Sequence, residues 1–125
     1  MSATLLALLG AAGRTSIFGD GDCVAVGVSG LHVSVLDART RSAPQATPAL
    51  VVTDGLYRER YDAPNVPGSP NRFIAALERP GTYDILVQVA GYRDWMRRSV
   101  RVEREGACNY LRPVTLTADV EPLAP

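Results

Sequence analysis

Apolar and polar residues alternate with a period of two along most of this chain. Leu31, Val33 and Val35 alternate with His32, Ser34 and Leu36, the spacing that sends successive side chains to opposite faces of a strand. Residues 49–53 form a second extended run and residues 56–61 a third. Asp54-Gly55 joins them and predicts a hairpin with a type I′ turn, which needs positive φ at both central positions. Residues 37–48 are polar with two prolines and read as a loop. Residues 62–71 hold Pro64, Pro67, Gly68 and Pro70, a long irregular loop of the kind that is often functional. Residues 72–78 read as strand in preference to a helical turn, because the run is short and stops at Arg79-Pro80-Gly81. From Thr82 the alternation is strongest: Tyr83, Ile85, Val87 and Val89 share one face, and Asp84, Leu86, Gln88 and Ala90 the other. After a turn at residues 91–94, Met96, Val100 and Val102 form the expected inner face of the next strand, with Arg98 as an exception. Trp95, Arg97, Ser99, Arg101 and Glu103 have the outer parity. A turn at Arg104-Glu105-Gly106 precedes the last strand, residues 114–120. Pro113 lacks a donor and places that strand's start, or puts it at a sheet edge.

These are about seven strands with turns roughly every 8–12 residues, no convincing helix and no repeat, which predicts an all-β, seven-stranded antiparallel Greek-key β-sandwich. The expected core is Val33, Val35, Val51, Phe73, Leu77, Tyr83, Ile85, Val87, Val89, Val100, Val102, Val114 and Leu116. A length of 125 residues fits one domain, and 11 glycines with nine prolines supply the turns.

The apolar stretch 3–12 is shorter than the roughly 20 residues of a membrane span. It fits the hydrophobic part and small-residue end of a secretory signal, although no basic residue precedes it. The other reading is a short hydrophobic element packed on the domain. The organisation expected is a signal-peptide remnant at 1–12, a linker at 13–23, the sandwich at 24–120 and a tail at 121–125. The two cysteines, Cys23 and Cys108, flank the domain, and an even count in an exported chain favours a disulfide. It would close a loop of about 85 residues, worth roughly 4–5 kcal/mol in the chain-entropy treatment. Residues 19–22 do not resemble a lipidation site. One histidine is too few for the usual Cys/His metal sets. No cofactor, metal or membrane span is expected, and the compartment is secreted, periplasmic or cell envelope. Thirteen basic residues, all arginine, balance 13 acidic ones. Zero net charge argues against nucleic acid as a partner, and the absence of lysine is read as GC-rich coding.

Pro80-Gly81-Thr82-Tyr83-Asp84-Ile85-Leu86-Val87, followed by Ala90-Gly91-Tyr92, resembles the signature of carboxypeptidase regulatory-like domains, which are transthyretin-like sandwiches. Val33-Ser34-Val35-Leu36-Asp37 fits the early strand of that family. The resemblance covers about residues 24–120. It departs after Asp37, where Thr40 is followed by Arg41 in place of a Thr-Gly turn. It implies a non-catalytic accessory module of secreted or bacterial envelope proteins, serving folding support, adhesion or, in some relatives, glycan binding. The partner implied is a protein or a glycan.

Candidate sites divide by chemistry. His32 has outer parity and reads as a surface or edge histidine, and no nucleophile or phosphate-loop motif is present. Hydroxyisourate hydrolases share the transthyretin-like fold, but this chain has neither their histidine set nor their Tyr-Arg-Gly-Ser end. Asp20-Gly21-Asp22 is a solvated linker more readily than a calcium loop, since calcium takes six to eight oxygens. Tyr57 and Tyr61 flank a hairpin strand, and Tyr92 and Trp95 flank the 91–94 turn. Trp95 is either exposed and stacked on Arg97, which would suit sugar or protein recognition, or a lid over the end of the core. Arg93, Arg97, Arg98, Arg101 and Arg104 form a basic stripe interleaved with acids. It is a solvated face, or a surface for an acidic polysaccharide or peptide.

Overall fold

Valine, threonine and tyrosine suit an extended, half-buried backbone, and most runs rich in them are strands, the exception being residues 24–28, which lead into β1 without joining a sheet. The computed structural model describes residues 23–124. The expected leader at 1–12, most of the linker, and Asp20 and Asp22 lie outside the described residues. The strands are β1 (Ser29–Asp37), β2 (Ala49–Asp54), β3 (Tyr57–Tyr61), β4 (Arg72–Leu77), β5 (Gly81–Gln88), β6 (Trp95–Val102), β7 (Arg104–Glu105), β8 (Tyr110–Leu111) and β9 (Val114–Val120). Seven of them match the seven predicted runs. β7 and β8 are two-residue strands closing the turn at Gly106, too short to show a period.

One sheet has the order β4-β1-β9 and the other β3-β2-β5-β6. The chain crosses between them after β1, after β3, after β4 and again between β6 and β9. Leu31, Val33 and Val35 of β1 share a single buried cluster with Leu50 and Val52 of β2 and with Tyr83, Ile85 and Val87 of β5. Two sheets joined by one core make a β-sandwich. The wholly antiparallel expectation is corrected: β9 runs parallel to β1, with Leu31 opposite Val114 and Asp37 opposite Val120. Parallel neighbours need a long crossover, and here the entire chain between β1 and β9 provides it.

Four local expectations also change, each for a backbone reason. The β2–β3 loop is Gly55-Leu56, since Asp54 pairs with Tyr57. Gly55 has φ +61° and Leu56 does not share it, the pattern of a type II′ turn rather than I′. Leu50 and Val52 point into the core, so Val51 between them faces the other side of the sheet. Ala76 has φ +57°, which breaks the period of β4. Ala75 and Ala76 are both buried, and Leu77, expected in the core, is 64% exposed. Between β5 and β6 the register slips, because Ile85 faces Arg97 while Tyr83 faces Val100. Ser99, with φ +55°, and Arg98 together oppose Asp84, which is a β-bulge. The bulge inverts parity on its amino-terminal side. Trp95 and Arg97 therefore share the inner side with Val87 and Ile85, and Met96 turns outward, 49% exposed.

The ends are stapled. Cys23 and Cys108 form a disulfide with Cα atoms 5.5 Å apart and a sequence separation of 85. It holds the segment leading into β1 against the β7–β8 turn. Beside it the Tyr110 hydroxyl accepts from Val24 N–H at 2.8 Å and donates to Val24 C=O at 2.7 Å.

Candidate functional site

The polar and aromatic residues singled out above are distributed over the two edges of one sheet and one end of the sandwich. β3 is an edge strand whose alternation sends Tyr57, Glu59 and Tyr61 toward the inner side, opposite Asp54, Val52 and Leu50. The Tyr61 hydroxyl donates to Glu59 Oε1 at 2.6 Å, and the Tyr57 hydroxyl donates to Glu59 Oε2. The same Oε2 accepts the backbone N–H of Ala76 at 3.0 Å. Glu59 thus links β3 of one sheet to β4 of the other, and the left-handed backbone of Ala76 frees the N–H that reaches it. Burial first, then the hydrogen bond to Glu59, pushes the Tyr57 and Tyr61 phenols up to about 12.

Arg79 extends this cluster. Its guanidinium lies 3.7 Å from the centre of the Tyr57 ring, donates to Asp54 at 3.0 Å and to the Tyr83 hydroxyl at 3.1 Å. Tyr83 in turn donates to the Arg79 carbonyl at 2.5 Å. A tyrosine at the start of a strand bonded to backbone a few residues upstream is the tyrosine corner of β-sandwiches. This gives the Pro80-Gly81-Thr82-Tyr83 run a physical meaning: it builds a corner.

At the end of the sandwich Asp37 is 5% exposed, the one buried charged residue among the described ones. Its Oδ1 accepts the N–H of Arg39 at 2.8 Å and of Thr40 at 3.2 Å, and its Oδ2 accepts the Tyr92 hydroxyl at 2.6 Å. The Tyr92 hydrogen bond, before the backbone ones, holds the Asp37 carboxyl below the usual carboxylate range. Asp37 in turn raises the Tyr92 phenol. Asn65 performs a similar service on β4: its side-chain amide accepts Ile74 N–H at 2.8 Å and donates to Ile74 C=O at 2.9 Å. It satisfies the outer edge of that strand as another strand would.

Trp95 and Arg97 lie on β6, at the opposite edge from Tyr57 and Tyr61. The ring of Trp95 is half-buried against the core, and the Arg97 guanidinium sits 5.2 Å from its centre. Both readings of Trp95 thus hold in part. Tyr57 and Tyr61 do not join Trp95 in one site, because β2 and β5 separate them. His32 lies on the outer side of β1, between Ile74 of β4 and Thr115 of β9, with no carboxylate as its cross-strand neighbour.

The outer face of β3-β2-β5-β6 was missed by the sequence reading. One row across it holds Arg58, Thr53 and Asp84, ending at the Arg98–Ser99 bulge. The adjacent row holds Arg60, Val51, Leu86 and Met96. A depression of about 270 Å³ lies over these two rows. Its signal was present as Arg58 and Arg60 alternating with tyrosines, but the bulge that brings Met96 to this face had none.

No protein-family model matches the chain, and no curated protein matches it.

Proposed function

We propose that this chain is a non-catalytic β-sandwich module of the transthyretin-like, carboxypeptidase regulatory-like kind, serving a structural or protein-interaction role in a secreted, periplasmic or envelope setting. The observation that carries the reading is how the chemistry-bearing side chains are used. Glu59 is held by Tyr57, Tyr61 and Ala76; Asp37 by Tyr92 and its own turn; Arg79 by Asp54, Tyr57 and Tyr83. Each ties one element of the fold to another. A group so bound must break a structural contact before it could act on a substrate. The Cys23–Cys108 bond supports an oxidising compartment.

A turnover screen tests this. The purified domain is incubated with ester, glycoside and phosphoester model substrates, alongside Glu59→Gln and His32→Ala. No turnover above the buffer rate is expected. Turnover that either substitution abolishes would replace the reading with an enzymatic one.

A second reading, a glycan-binding module centred on Trp95, draws on the partly buried ring beside Arg97. Retention on a broad glycan array that is lost in Trp95→Ala, with the fold intact, would favour it.

A further inference from the structure

Thirteen arginines are the whole basic complement of this chain. Seven of them, Arg39, Arg41, Arg60, Arg79, Arg101, Arg104 and Arg112, lie within 4.0 Å of a carboxylate. Arg58 and Arg98 are exposed and have no ion-pair partner among the described residues. They stand at the two ends of one row across the outer sheet face, Arg58 on β3 and Arg98 on β6, and both line the same depression. Asp84, between them, is already used: its carboxylate accepts the Ser99 N–H at 3.0 Å within the bulge.

The floor beside this row is aliphatic. Val51 is 7% exposed and Met96 49% exposed, with Leu86 between them. The described lining holds no aromatic ring on which a sugar could stack. Methionine and arginine are enriched in protein interfaces, and a guanidinium fork matches a carboxylate.

The geometry points to a docking surface for an extended acidic segment of a partner protein, carrying carboxylates at positions i and i+4 around an apolar residue at i+2. The spacing follows from the sheet. Arg58 and Arg98 are three strand separations apart, roughly 14 Å at about 4.8 Å each. In an extended chain residues i, i+2 and i+4 share a face, and i to i+4 spans about 13 Å. The outer carboxylates then meet Arg58 and Arg98, and the central side chain leans onto Val51, Leu86 and Met96. Asp84 repels a third acid at the middle position, which sets the order acid–apolar–acid.

This inference rests on the interaction role proposed above, but its failure is separable, because the turnover screen does not involve these residues. The test is fluorescence anisotropy with a labelled Gly-Glu-Ser-Leu-Ser-Glu-Gly peptide and the intact domain. Binding is expected that weakens about tenfold or more in Arg58→Glu/Arg98→Glu. It should also weaken when the peptide leucine becomes serine. Arg72→Glu, at an exposed arginine on the other sheet with no ion-pair partner among the described residues, should leave it unchanged, and all variants should keep the parent melting temperature. No measurable binding, equal binding to the double variant, or equal binding of a scrambled peptide would overturn the proposal. So would preferential binding of polygalacturonate at the same face. If the double variant fails to fold, Arg58→Gln/Arg98→Gln with the same peptide decides.

Discussion

β3 and β6 are the two edges of the same four-stranded sheet, and they end it in opposite ways. β3 is regular. On its inner side Glu59, held by the hydroxyls of Tyr57 and Tyr61, reaches across to the backbone of β4 and closes that side of the sandwich. Among the described residues β6 makes no such hydrogen-bonded link to the facing sheet. It is broken by the Ser99 bulge, carries arginines, and half-buries Trp95 beneath Arg97. The bulge and the charges of β6 discourage edge-to-edge pairing with another sheet, whereas the polar cluster of β3 ties that strand to β4 of the facing sheet. The lesson is that the closed edge should govern stability, and the open edge, with the face next to it, should govern what the molecule touches.

The largest expected effect removes the covalent staple, which lies on neither edge and sets the scale for both. Cys23→Ser/Cys108→Ser should lower stability to urea by about 4 kcal/mol. Next is the closed edge. Glu59→Ala leaves two phenols and the Ala76 N–H without their acceptor and should cost about 2–3 kcal/mol, read as a lower urea midpoint. Trp95→Ala on the open edge should cost less, about 1–2 kcal/mol, because the ring is only half-buried. If Trp95→Ala destabilises more than Glu59→Ala, the contrast between the edges fails. The smallest change is a gain. Ser99→Gly removes the penalty of a side chain at φ +55° and should stabilise by roughly 0.5 kcal/mol. A loss there would mean that the Ser99 side chain itself supports the bulge.

Alkali provides a further probe of the closed edge. Tyr57 and Tyr61 are raised to about 12 in the folded protein, against about 10 in an unfolded chain. The fold therefore favours the protonated phenols. Their contribution is complete below about pH 10 and declines as the pH rises from there toward 12. Stability measured across that window should fall, and Tyr57→Phe/Tyr61→Phe should flatten the decline. At the other extreme, the lowered Asp37 carboxyl makes its contribution above about pH 4. Stability should drop as the pH falls below that value, and less steeply in Tyr92→Phe.

Much of this was legible from local pattern. The seven long strands follow from period two and from turn residues, and the pairing of Cys23 with Cys108 follows from their number and placement. The candidate aromatics were found, but their roles were not. Tyr57 and Tyr61 read only as rings flanking a hairpin strand, because nothing near them in sequence shows that Glu59 lies between their hydroxyls and the backbone of β4. Trp95 was assigned the wrong parity because one extra residue at Ser99 inverts every side chain before it.

By itself, the sequence determined which segments extend, where they turn, and that Cys23 pairs with Cys108, because strand periodicity, turn chemistry and cysteine pairing are short-range or countable properties. Tertiary structure alone decided three things. β9 lies parallel to β1, β3 meets β4 through Glu59, and Arg58 and Arg98 come to stand on one face. Each of these depends on which edges and registers meet once two sheets share a core. That choice is made by burial summed over the whole molecule, not by any local run of residues.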